Sequence, residues 1–141
     1  MGKGIVIDTN VFISALRSKK GASYRLFMDI GSGLFDINIS VPLILEYEAT
    51  AKRLIGETKL TSDNIDDIID YICSVAQHWK VFYLWRPFLR DPKDDMVLEL
   101  AVTSRSNLII TSNKEDFRGA EDFGIKILTP KEFLKKIGGI R

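Results

Sequence analysis

Apolar and polar positions change their period several times along the chain, and each change predicts an element. Residues 4–7 (Gly4, Ile5, Val6, Ile7) form a continuous apolar run with β-branched side chains, the pattern of a buried strand. Asn10 to Leu16 carries Val11, Phe12, Ala15 and Leu16 and suits a short helix. After the basic loop RSKKG, the stretch ASYRLFMDIGSG predicts a second helix, closed by Gly31 and Gly33 as C-terminal stops. LFDINIS alternates apolar and polar residues and reads as a strand. Pro42 favours a helix start, and LILEYEATAKRLI supplies helix formers with Arg and Lys near its end.

From Thr61 the helical period is clearest. Ile65, Ile68, Ile69, Ile72 and then Val75 or Ala76 share one face, and Asp63, Asp66, Asp67 and Asp70 lie on the other as a solvated side. WKVFYLW predicts a strand, RPFLRDPKDD a polar connection, and MVLELAVTSR another helix. NLIIT follows as a short buried strand, NKEDF as a loop or helical turn, and GIKIL as a last strand. TPKEFLKKI carries Thr129 as N-cap, Pro130 at the first helical position and Glu132 near the capping-box position. Strands alternating with helices predict a three-layer α/β/α sandwich around a mostly parallel sheet of about five strands. No internal repeat, low-complexity tract or linker breaks residues 1–141 into more than one domain.

Composition narrows the class. With 141 residues, 45% hydrophobic and 28% charged, the chain can bury a core without disulfides or structural metal. Cys73 is the only cysteine; it reads as core, and with no internal disulfide to make, it fits a reducing cytoplasm. His78 is the only histidine and reads as structural or surface, which removes most His-based zinc sites and leaves Ser-His-Asp chemistry on a single imidazole. No apolar run approaches the ~18–20 residues of a membrane span and no secretory leader pattern opens the chain, so a cytoplasmic protein without a membrane partner is expected.

A net charge of +1 means that bulk charge does not grip nucleic acid. The cations Arg17, Lys19, Lys20, Arg86, Arg90, Lys93, Lys114 and Arg118 nevertheless fall in or near loops at one predicted edge, either as a solvated surface or as a path for phosphates. Trp85 and Phe88 read first as packing and second as a base-stacking pair beside Arg86 and Arg90.

The candidate chemistry lies in the acidic and amide residues that follow apolar segments. Asp8 ends the first strand and is followed by Thr9 and Asn10; a helix cap is the plainer reading. Glu46 stands one turn into the helix after INIS. DPKDD (Asp91 to Asp95) runs into the next helix, whose dipole its carboxylates favour in any case. TSNKED (Thr111 to Asp116) follows NLII, where Asn113 and Asp116 also suit a turn. In a parallel sheet with right-handed crossovers all four groups arrive at one edge, beside the crevice of the topological switch point. Carboxylates crowded there raise one another's pKa unless a cation neutralises them, and hard oxygens without His or Cys select Mg²⁺ or Mn²⁺ over zinc.

Together, VIDTNVFISAL, SVPLILEYEATAKR, DPKDDMVLELAV and LIITSNKEDF resemble the PIN domain, the nuclease fold of VapC-type toxins in toxin–antitoxin pairs and a relative of flap endonucleases. The similarity runs over nearly the whole chain, as far as ILTPKEFL. It implies a Mg²⁺- or Mn²⁺-dependent, single-strand-selective ribonuclease in which a metal-activated water hydrolyses the phosphodiester. Carried over by position, Asp8 is the first metal ligand, Glu46 the helix glutamate and Asp95 the third acid, with Asp94 as the alternative ligand or its partner. Thr9 and Asn10 then fix Asp8 or touch substrate, and Thr111, Ser112 and Lys114 contact the scissile phosphate.

One position departs from the common pattern. Where many relatives carry an aspartate soon after the strand threonine, this chain has Asn113, with Asp116 three residues on. An amide brings no charge, so a second ion binds less well unless Asp116 compensates. The resemblance also implies an RNA substrate, an antitoxin partner inserted into the crevice, and a homodimer.

Two enzyme rivals fit poorly: a phosphatase of the haloacid-dehalogenase type needs an acid where Asn10 stands, and a receiver domain needs an early acidic pair. A catalytically weak or inactive PIN-fold module that binds RNA or protein is the remaining alternative. Asn113 favours it, and the joint presence of Asp8, Glu46 and Asp95 opposes it.

Overall fold

The computed structural model describes residues 3–81 and 89–138. The opening apolar run becomes the central strand β1 (Lys3–Ile7), with Ile5, Val6 and Ile7 wholly buried, as expected of a strand covered on both faces. Helices α1 (Thr9–Arg17) and α2 (Ala22–Met28) lead to β2 (Phe35–Ile39). Then come α3 (Val41–Lys52), α4 (Ser62–Val75), the two-residue β3 (Gln77–His78), α5 (Pro92–Thr103) and β4 (Leu108–Ile110). Two 3-10 turns, Lys114–Phe117 and Ala120–Phe123, precede β5 (Lys126–Leu128) and α6 (Pro130–Lys136). The sheet runs β3-β2-β1-β4-β5 with every neighbouring pair parallel.

This order has a direct consequence for the helices. The chain steps outward from β1 through β2 to β3, then returns past β1 to β4 and β5. Right-handed crossovers in opposite directions put their helices on opposite faces. Accordingly α5 packs on β1, β2 and β4, while α1, α2 and α6 pack in series, with α1 also against α3 and α3 against α4. This is the α/β/α arrangement that the alternating pattern predicts.

Local chemistry starts the helices where the sequence places them. Thr61 and Asn64 form a reciprocal capping box, Thr129 and Glu132 form another, and the Ser40 hydroxyl accepts from the Leu43 N–H ahead of Pro42. The Asp91 carboxylate accepts from the Lys93 N–H, and Pro92 opens α5 four residues before the apolar stretch MVLELAVTSR. Asp94 and Asp95 therefore stand inside the first helical turn. Aromatic pairs knit the core on the side of α1, α2, α3 and α6: Phe12 stacks on Tyr47 at 4.9 Å and meets Phe27 at 5.4 Å, and Phe35 meets Phe133 edge-on at 5.4 Å. Cys73 is a free thiol packed against this core. On the acidic side of α4, Asp66 is tied to Lys52 of α3 at 2.9 Å, and Asp63, Asp67 and Asp70 are exposed.

Three local expectations change. The strand expected at WKVFYLW lies earlier, at Gln77 and His78, which pair with Asn38 and Ile39; the Trp79 N–H gives one further bond to the Ile39 carbonyl. Residues 79–81 are not strand, and Phe82 to Trp85 lie outside the described residues. The reason is the Trp79 indole, whose Nε1–H donates to Asn38 Oδ1 at 2.7 Å and fixes the chain as it leaves the sheet. Asn38, a polar residue of the alternating segment, is buried: its amide also donates to Ser106 Oγ at 2.9 Å and to the Ile5 carbonyl at 3.2 Å. Finally, GIKIL is shortened to three strand residues, because Gly124 takes a left-handed conformation (φ 77°) that closes an unexpected 3-10 turn.

Candidate active site at the carboxyl edge of the sheet

Strands β1 and β4 are neighbours, yet the chain leaves them in opposite directions, so the crevice opens above their carboxyl ends. Asp8 and Thr111 stand there. The Asp8 N–H donates to the Ile110 carbonyl at 2.9 Å, and the Thr111 N–H to the Leu128 carbonyl at 2.9 Å, so the sheet ladder carries both residues to its limit. Asp8 occupies the N-cap position of α1, but its side chain makes no capping bond; Oδ2 accepts instead from the Thr111 hydroxyl at 2.8 Å. The carboxylate is thus oriented across the crevice and not along its own helix.

Thr111 is a junction. Its hydroxyl oxygen also accepts from the Asn113 N–H at 3.1 Å and, at a longer 3.4 Å, from the Asn10 amide. Asn10 in turn accepts from the Ser112 N–H at 3.2 Å, so the turn after β4 is stitched to the first turn of α1, where Thr9 stands half-buried. Asn113 is exposed and its amide donates to Asp116 Oδ1 at 3.2 Å, which holds Asp116 toward the crevice from the first 3-10 turn.

The acids from the other two segments separate. Asp94 and Asp95 are neighbours in the first turn of α5, about 100° apart around the helix. Asp95 is 1% exposed, and its carboxylate accepts from the Leu89 N–H at 2.7 Å, pinning the chain ahead of the helix. Asp94 faces the crevice. Its carboxyl is pushed up to about 7, first by burial and then by the charges of Asp8, Asp116, Asp91 and Asp95. Asp8 is likewise pushed up to about 6: burial raises it most, the Thr111 hydroxyl and Thr9 N–H pull it down, and Asp116 and Glu46 raise it again.

Four carboxylates from four elements thus share one electrostatic neighbourhood. Glu46 approaches from α3, where Thr50 donates to its Oε2 at 3.1 Å and Lys93 lies 3.6 Å from the same oxygen.

Sequence reasoning passed over Tyr47, the residue after Glu46. It is fully buried, stacked on Phe12, and its hydroxyl donates to the Ile7 carbonyl, bracing the end of β1 just before Asp8. Burial, reinforced by the Asp8 charge, raises its pKa well above the ordinary value, so it stays a neutral donor. Helical period marks Tyr47 as apolar-facing, but nothing in the sequence tells which carbonyl its hydroxyl meets.

Half of the predicted basic rim is paired with carboxylates. Lys93 meets Glu46, Lys114 meets Glu132 at 2.6 Å, Arg118 meets Glu115 at 2.6 Å and Arg17 meets Glu57 at 3.9 Å. Arg90 and Arg118 line an open cleft with Leu89, Glu115 and Asp116. Trp85, Arg86 and Phe88 lie outside the described residues.

The donor set is chemically suited to a hard divalent cation: carboxylate and amide oxygens only, with two carboxyls raised first by burial and then by the neighbouring acids. Among the described residues, though, no three acidic, His or Cys side chains stand close enough to share an ion as placed, so binding requires them to draw inward.

An all-parallel α/β sandwich with an acidic crevice at its switch point defines a PIN-like architecture. The chain belongs to the PIN domain family, whose sequence profile matches residues 4–115. PIN domains are generally nucleases, and such nucleases generally use divalent metals. No curated protein matches the chain. Among solved structures, VapBC2 from Rickettsia felis bound to a DNA fragment from their promoter is similar over 88% of this chain and 98% of the matched chain, with a TM-score of 0.60 at 13% identity. That likeness is one of fold.

Proposed function

We propose that this PIN domain is a Mg²⁺- or Mn²⁺-dependent endoribonuclease that hydrolyses phosphodiester bonds in single-stranded RNA, and that it is the toxin of a toxin–antitoxin pair. One observation carries the reading. Asp8, Glu46, Asp94 and Asp116 come from four separate elements into one neighbourhood where their like charges oppose one another. Such an arrangement is unfavourable for the bare fold and useful only with a cation in place.

Asp8, Asp94 and Asp116 are the residues that would hold the ion, with Glu46 and the Asn113 carbonyl at its sides. When bound, a divalent ion supplies a water of lowered pKa and offsets charge building on the phosphate. The chain's own groups do the rest. The Thr111 hydroxyl fixes the orientation of the Asp8 carboxylate, and Asn10 holds the Ser112 turn beside it. Thr9, Ser112 and Lys114 flank the phosphate path. Lys93, now against Glu46, is placed to turn toward a phosphate once Glu46 is otherwise engaged. Asp95 is a positioning residue, because its buried carboxylate is bonded to the Leu89 N–H.

The antitoxin, homodimer and cytoplasmic setting belong to the same proposal. Support comes from the similar fold of VapBC2, and no helix of the described residues is long and apolar enough to cross a membrane.

The test is cleavage of a fluorescent single-stranded RNA by wild type and Asp8→Asn, each with Mg²⁺, Mn²⁺ or EDTA. Metal-dependent cutting that disappears in the variant is expected. No cutting by folded wild type under any condition would favour a binding-only PIN module, the reading that Asn113 in place of an acid supports.

A further inference from the structure

Three cations near the acidic crevice are engaged: Lys93 with Glu46, Lys114 with Glu132, Arg118 with Glu115. A second cationic feature differs. Lys19 and Lys20 from the α1–α2 loop, Tyr24 and Arg25 from α2, and Lys131 from the first turn of α6 line an open cleft of about 440 Å³ whose wall contains no acidic side chain. Lys19, Lys20 and Lys131 are exposed, and among the described residues none of the three is in an ion pair. Helices α2 and α6 pack against each other, and the Thr129–Glu132 capping box fixes the turn that presents Lys131.

Three lysines with no carboxylate partner among the described residues repel each other in one concavity unless an anion lies among them. In a chain with a net charge of +1, this is a local concentration of charge, the footprint expected of a phosphate-binding surface. The half-buried Tyr24 adds an aromatic ring to the same wall, which a base can stack on. The first turn of α6 also joins this cleft to the crevice: Lys131 is followed by Glu132, whose carboxylate holds Lys114 beside Asn113.

We propose that this cleft is a second binding surface for the nucleic-acid substrate, in which Lys19, Lys20 and Lys131 bind backbone phosphates of single-stranded RNA remote from the bond that is cut. The proposal rests on the RNA reading of the acidic crevice and adds a footprint to it. The cleft would set affinity and the direction in which the strand lies, without touching the reacting atoms.

Binding of a labelled single-stranded RNA, followed by fluorescence anisotropy in EDTA so that nothing is cut, tests it. The wild type is compared with Lys19→Ala/Lys20→Ala/Lys131→Ala and with Lys3→Ala/Lys59→Ala/Lys126→Ala, an equal reduction of charge elsewhere on the surface. The cleft variant should bind about tenfold more weakly, with a salt dependence shallower by about 2 in log–log slope, since each phosphate neutralised on a single strand adds about 0.7 to that slope. The control should change less than about twofold.

Equal weakening in both variants, or none in the cleft variant with its circular dichroism unchanged, would overturn the proposal. So would displacement of the RNA by inorganic phosphate, but not by chloride at equal ionic strength, since the cleft would then be a small-anion site. Because the assay needs no cleavage, an inactive crevice leaves this readout intact, and a failed cleft leaves metal-dependent cutting in place.

Discussion

Two polar clusters are built on β1, one toward each end, and they follow opposite rules. Around Asn38, every group is neutral and donors meet acceptors: the amide reaches Ser106 and the Ile5 carbonyl, and the Trp79 indole completes the set. Around Asp8, the groups carry like charge, and only the Thr111 and Thr9 donors offset the burial of its carboxylate. A satisfied neutral network rigidifies a fold. A crowded set of acids weakens it, and such a set is held in place by the surrounding structure for another purpose. The first cluster keeps β1 and β2 in register; the second is the candidate site.

Substitutions separate the two clusters. The largest effect is expected from Asp8→Asn, which should reduce metal-dependent RNA cleavage by at least ~100-fold, as loss of a charge that holds a catalytic ion does. The same variant should melt higher than wild type in EDTA at neutral pH, because it removes a buried charge. Next, Asp94→Asn should abolish most cleavage while keeping the fold. Asp95→Ala should instead destabilise by ~1–3 kcal/mol through the missing bond to the Leu89 N–H, and its denaturation midpoint will show this.

Asn38→Leu belongs to the neutral cluster and should cost ~1–3 kcal/mol in urea unfolding, with cleavage per folded molecule unchanged.

The pH dependence distinguishes the clusters without mutation. Asp8 and Asp94 have folded pKa values of about 6 and 7, above the ordinary 3.8 of an unfolded aspartate. The native state therefore binds more protons than the unfolded state between these values, and stability falls as pH rises through that window. In EDTA the melting temperature should decline from pH 4 to pH 7, and Mg²⁺ should restore more of it at pH 7.5 than at pH 5. A melting temperature that rises over that range would contradict the crowded-acid account.

The smallest effect is expected for Asn113→Asp, which should tighten Mg²⁺ binding by a few-fold, measured by calorimetry.

Much of this was legible in the sequence for a physical reason: period, caps and turn chemistry are local. The run at residues 4–7 could hardly avoid burial on both faces, and both Thr129–Glu132 and Pro92 start their helices within a single turn. The gathering of Asp8 and the Thr111–Asp116 segment at one edge also follows from local facts, since each trails an apolar strand directly and parallel strands share a carboxyl edge.

What tertiary structure alone decided turns on rotation and on distance between elements. Asp94 and Asp95 are both acids one residue apart, and only the placement of α5 against β1 and β4 settles which of them meets Asp8 and which turns under Leu89. The rim cations looked alike as charges in loops, until neighbouring elements gave Lys93, Lys114 and Arg118 carboxylate partners and left Lys19 and Lys20 without any among the described residues. β3 shifted because the Trp79 indole just after it found the side-chain Oδ1 of Asn38, 41 residues earlier in the chain. A residue's type and its neighbours in sequence set what it can do; which partner it meets depends on how separate elements pack, and no local period records that.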